Sequence, residues 1–210
     1  MSTTPELQHA LELHQQGDFS TAILLYDQLL HSRRDVITLQ LRGLAEHHRG
    51  NHQEALPFLK EALRQPNSTA KLHLNTGNVY KALGNLQQAE KHYLQATEIN
   101  PALCETWKCL AETQAGLNKE SLALESLQKA LQIDPGEVNC HRLSGKLFAK
   151  TGQLDAAENS YLRVIKSGAE TPAVLNELGS LYRVMGRLNE AVDLFERATQ
   201  LDIRQPGLWC

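Results

Sequence analysis

An all-α solenoid of about six helix-turn-helix repeats is the fold class this sequence predicts, and three observations predict it. The first is a period of 34 residues: segments 36–69, 70–103, 104–137, 138–171 and 172–205 align end to end. A shorter unit at about 3–35 precedes them, and 206–210 reads as the start of a seventh. The second is a recurring column of small residues. Ala22, Ala55, Ala89, Ala123, Ala157 and Ala191 open the second helix of each unit, and Ala10, Gly43, Gly77, Ala111, Gly145 and Gly179 stand twelve residues earlier on the first. Small side chains let paired helices approach toward the near end of the usual ~8–10 Å separation. The third is a turn residue that tolerates left-handed backbone between the two helices: Gly17, Gly50, Gly84, Asn118, Gly152 and Gly186. A fixed period of this length marks units stabilised by their neighbours, not a single central core. Residues 1–210 are therefore expected to form a single solenoid domain.

The elements follow in order. Ser2-Thr3-Thr4 supplies N-cap candidates for a first helix from about Pro5 to Gln16, with the proline tolerated in its first turn. This unit is the most divergent, as expected of a terminal repeat with one face in water. In the second unit Pro57 is expected near the first turn of its helix, where few hydrogen bonds are lost. Each alanine of the second helix is followed four residues on by a large residue, Tyr26, Leu59, Tyr93, Leu127, Tyr161 or Phe195, which fills the groove left by the small ones. Pro101 and Pro135 end the third and fourth hairpins, and the last helix is expected to end near Leu201.

Units three and four carry the fullest pattern: Gly77, Tyr80, Ala89, Tyr93, Ala96 and Pro101 in one, Trp107, Leu110, Ala111, Ala123, Ala130 and Pro135 in the other. On these residues the chain resembles the tetratricopeptide repeat family over about residues 3–205. Glu46 and Gln114 depart from it, standing where Tyr80 and Tyr182 stand in their own units. The resemblance implies a right-handed superhelical solenoid whose first helices line a concave groove, and a protein-interaction scaffold that holds a partner peptide there. It also implies that the second, fifth, ninth, twelfth and thirteenth positions of each unit face inward. In units three to six those positions include Lys71, Asn78, Lys81, Lys108, Arg142, Lys146, Lys150 and Arg183, with Glu105 and Glu112 as the acidic members. These eight are the expected partner-binding residues.

Arg142, Lys146 and Lys150 are spaced i, i+4, i+8 and so share one helix face. Such a run is either a solvated face or a site for a partner with acidic groups. The carboxylate clamp found in some related domains is missing, because Leu74 replaces its first lysine and Glu105 with Cys109 its last basic pair.

Formal charge of −3 argues against a nucleic-acid partner, and no apolar run approaches the ~18 residues of a membrane span. The N-terminus lacks the basic start and apolar stretch of a secretion signal, so a cytoplasmic location is expected. No phosphate loop, nucleophile elbow or HExxH motif is present, so no catalytic residue, cofactor or metal is expected. His47, His48 and His52 look like a metal cluster, but Gly50 breaks the helix between them. Cys104, Cys109, Cys140 and Cys210 lack CxxC spacing and read as reduced, packed thiols. Two further readings stay open. The chain could be the recognition region of a larger enzyme, such as a sulfotransferase or glycosyltransferase, whose catalytic domain follows Cys210. Alternatively, an uncapped last repeat, with Trp209 placed as Trp107 is, could self-associate.

Overall fold

A computed structural model describes residues 4–66 and 68–203, and all twelve elements it contains there are α-helices. They form two compact bodies, unit one (Met1–Leu117) and unit two (Asn118–Cys210), each spanning several of the 34-residue repeats. The first holds α1 (Pro5–Gln15), α2 (Phe19–Ser32), α3 (Val36–His48), α4 (His52–Arg64), α5 (Ala70–Ala82), α6 (Leu86–Ile99) and α7 (Cys104–Gly116). The second holds α8 (Glu120–Ile133), α9 (Val138–Lys150), α10 (Leu154–Lys166), α11 (Pro172–Val184) and α12 (Leu188–Ile203).

Helix starts follow from the capping residues. Thr4, Asp18, Asp35, Thr69, Asn85 and Thr171 each accept a hydrogen bond from the backbone N–H three residues on, a contact worth ~1 kcal/mol. The residues expected at the turns all have positive φ, from 55° at Asn118 to 86° at Gly50. Pro57 lies deeper than expected: it is the sixth residue of α4, beyond the first turn, so one intrahelical hydrogen bond is lost there.

Small residues face large ones within each unit. In unit one Tyr26, Leu59 and Tyr93 are fully buried. A Cβ at Gly77 would lie 2.5 Å from the Tyr93 ring, and one at Gly43 would lie 2.9 Å from Leu59. Hydrogen bonds then fix the rings: Tyr93 Oη donates to Asn78 Oδ1 at 2.7 Å, and Tyr26 Oη to the Ala10 carbonyl at 3.3 Å. Unit two repeats the device at Gly145 against Tyr161 and at Gly179 against Phe195.

Glu46 stands where Tyr80 fills the third repeat, and it is buried as an ion pair. Its carboxylate accepts from Arg42 and Asn51, each at 2.8 Å, while Arg42 also donates to Asp27 at 2.7 Å and lies over the Phe58 ring. Burial would push the Glu46 carboxyl up, but these hydrogen bonds outweigh it and hold it below the usual range. Gln114, the second departure, is buried as well.

Candidate partner-binding face

In unit two the geometry centres on one carboxylate. Arg142 on α9 donates to Glu177 on α11 through two bonds, Nε at 3.0 Å and Nη2 at 2.6 Å, and Lys146 Nζ reaches the same carboxylate at 3.0 Å. A bidentate guanidinium is the most directional pairing available to a carboxylate. Burial raises the Glu177 carboxyl, yet the bonds from Arg142 and Lys146 outweigh this and hold it below its ordinary value. One turn further along α9, Lys150 contacts Glu120 at 2.5 Å and Asn118 Oδ1 at 3.2 Å. Arg183 on α11 is exposed and has no ion-pair partner among the described residues.

In unit one Lys81 on α5 pairs with Glu112 on α7, and Lys108 pairs with Glu105 at 3.1 Å. Lys71 is exposed and unpaired among the described residues, and Asn78 has its Oδ1 occupied by Tyr93. Buried beside these on α5, Asn75 leaves its Nδ2 without a partner. Five of the seven cations read from the sequence thus lean on carboxylates. Two of the acids, Glu177 and Glu120, fall outside the inward positions used to count charge, so the face is less basic than that count implied. The signal was present in the spacing: Glu177 lies 35 residues after Arg142, one residue past a full repeat, and therefore beside it on the neighbouring first helix.

The histidines pair in a pattern that the sequence did not show. His14 Nε2 lies 2.9 Å from His48 Nδ1, His47 Nδ1 lies 2.9 Å from His52 Nδ1, and His73 Nδ1 lies 3.2 Å from His92 Nδ1. Among the described residues no group of three or more metal-ligating side chains converges. Each contact needs one neutral ring, since two imidazolium ions have only donors. Burial lowers the pKa of His14, His47 and His73; His92 falls to about 4, through burial first and then through His73, Lys91 and Lys60. A histidine with a depressed folded-state pKa is protonated more readily in the unfolded chain. Its stabilisation is complete above the unfolded value near 6.5 and is lost as pH falls toward the folded value. The melting temperature is expected to fall by several degrees between pH 7 and pH 5. His92→Phe, which keeps the ring stacked on Tyr80, should flatten part of that slope in thermal scans.

Cys109 and Cys140 are buried, Cys104 is partly so, and none forms a disulfide. Burial, reinforced by Glu105, pushes the Cys109 thiol up to about 12, so it stays protonated and unreactive. Pro206, Trp209 and Cys210, read as the opening of a further unit, lie outside the described residues. Among the described residues no helix is long and apolar enough to cross a membrane.

Among curated sequences the chain is 28% identical over 160 residues to the Protein CTR9 homolog of Arabidopsis thaliana, covering 72% of this chain and 15% of that protein. It is 25% identical over 191 residues to human Protein O-mannosyl-transferase TMTC1, covering 88% of this chain and 21% of that protein. The chain therefore spans less than a quarter of the length of these relatives. Among solved structures it superposes on PilF of Pseudomonas aeruginosa with a TM-score of 0.81 at 17% identity, over 96% of this chain and 91% of that one. With MamA of Desulfovibrio magneticus RS-1 the TM-score is 0.78 at 18% identity, over 82% and 97%. At these identities the likeness establishes the solenoid fold alone. Two family models, each describing the tetratricopeptide repeat, match residues 35–102 and 143–206, more than half of the sequence between them. The chain belongs to the tetratricopeptide repeat family.

Proposed function

We propose that this chain is a protein-interaction scaffold that holds an acidic peptide segment on its first helices, chiefly on the α9–α11 face of unit two. The observation that carries this reading is the convergence of Arg142 and Lys146 on the single carboxylate of Glu177. Two cations share one anion, so the cluster keeps a net positive charge. Lys150 and Arg183 extend it: with Glu177 and Glu120 counted, four cations stand against two acids on this face. A partner carboxylate would replace water around groups already held in place, which lowers the ordering cost of binding. Lys71, Asn78, Lys81 and Lys108 form a smaller patch of the same character in unit one.

Titration of the chain with acidic and neutral peptides of equal length tests this reading. Acidic peptides should bind more tightly, and their affinity should fall several-fold from about 50 to about 500 mM salt, as the screening length drops from above 10 Å to below about 5 Å. Equal affinity for both peptides, or indifference to salt, would count against it.

A second reading, the recognition region of a larger enzyme, draws support from the match to an O-mannosyl-transferase. The peptide face would then select substrates for a catalytic region elsewhere in the polypeptide. Self-association would instead bury Val184, Leu188 and Val192, all exposed on the α11–α12 hairpin.

A further inference from the structure

Unit two has a cleft independent of the face just described. The cleft, of about 630 Å³, is walled by α8 and α10 and floored by α9. At 3.6 residues per turn its floor residues His141, Ser144 and Phe148 lie on the face of α9 opposite Arg142, Lys146 and Lys150.

The repeat register explains why space is left there. One period on from His141, Ser144 and Ser160 stand Leu175, Leu178 and Leu194, all buried in the α10–α12 core. Ser144 and Ser160 turn inward on their own helices, donating to the carbonyls of Cys140 and Ala156, each at 2.8 Å. Serine is smaller than leucine, so the volume leucine fills in the last repeat is only partly filled at the buried Ser144 and Ser160, beside an apolar lining of Leu124, Leu131 and Phe148.

The rim has a matching chemistry. Gln128 and Gln132 on α8 and Asn159 on α10 are exposed primary amides with no hydrogen-bond partner among the described residues. Each offers both donors and an acceptor, as a peptide backbone does. Glu125 on α8 and Arg163 on α10 supply one charge of each sign on opposite walls, and neither forms an ion pair among the described residues. The cleft volume falls within the ~300–1,000 Å³ usual for binding pockets.

We propose that this cleft binds an extended peptide segment of a partner protein. One apolar side chain of the segment occupies the volume above Phe148 that Leu178 and Leu194 fill one repeat later. The flanking residues present an acidic group to Arg163 and a basic group to Glu125, while the amides on both walls bond the peptide backbone.

The test is selection of a displayed library of random heptapeptides on the full chain, followed by titration of the enriched sequences as free peptides. Enriched peptides should share an apolar residue between one acidic and one basic residue. Their affinity should fall at least about tenfold in Ser144→Leu/Ser160→Leu, which installs the residues of the next repeat, and should survive neutralisation of Arg142, Lys146 and Lys150. Should the filled variant fail to fold, Arg163→Glu with Asn159→Ala, both at exposed positions, gives the same test. Absence of enrichment overturns the proposal. So does enrichment of peptides that tolerate the cleft variants, and if those peptides instead lose affinity on neutralising Arg142, Lys146 and Lys150, the α9–α11 face stands without the cleft.

Discussion

Tyr93→Ala should lower the stability of the chain by about 3–5 kcal/mol, the usual cost of truncating a fully buried aromatic side chain. For a chain of this size that is a drop in melting temperature on the order of 10 °C. The ring is the wedge of the third hairpin, pressed on Gly77 and held by its hydroxyl to Asn78. The same contact gives Gly77→Ala an unusual sign. In an open helix this change gains about 1 kcal/mol of helix propensity. Here the added methyl would meet the Tyr93 ring at 2.5 Å, and overpacking of this kind costs about 1–3 kcal/mol, so a net loss is expected. Repeat four solves the same problem with Ala111 and Leu127. Gly77→Ala/Tyr93→Leu should therefore lose less than the two single changes added together, which thermal unfolding followed by circular dichroism would measure.

Glu177→Gln should strengthen the binding of acidic peptides, by about three- to tenfold. Removing the carboxylate leaves Arg142 and Lys146 without their shared partner, and a ligand carboxylate can then take both. Stability should fall at the same time, by ~1 kcal/mol or less, because Arg142 and Lys146 are partly solvated and a pair of that kind contributes little. Tighter binding from a less stable chain is hard to reconcile with a merely structural ion pair. Affinity that falls along with stability would indicate that Glu177 orders the face for a different ligand.

How much of this was legible in the sequence depends on how each feature is specified. Gly77, Tyr93 and the six turn residues answer local steric demands that recur every 34 residues, so their identity alone announces them. The basic face was only half legible. Arg142, Lys146 and Lys150 declare a shared helix face by their spacing, but Glu177 reaches that face one residue off the inward set and Glu120 from the start of a second helix, α8, which the inward set omits. The histidine pairs were illegible for a similar reason. In the repeat register His14 is equivalent to His47, as Ala10 is to Gly43, so its partner His48 stands one residue past the equivalent position, where period matching does not look. The cleft depends on Ser144 and Ser160, at positions whose residue type varies from repeat to repeat (Thr76, Leu110 and Leu178; His92, Ser126 and Leu194), so the period does not specify it.

The most direct test of the account is titration of one acidic peptide against the chain and against Arg142→Gln/Lys146→Gln/Lys150→Gln. Neutralisation is preferable to reversal, since reversed side chains would repel Glu177 and Glu120 and disturb the fold. At least a tenfold loss of affinity, ~1.4 kcal/mol, is expected, together with loss of most of the salt dependence. Unchanged affinity in a folded triple variant would contradict it and leave the three cations as a solvated face.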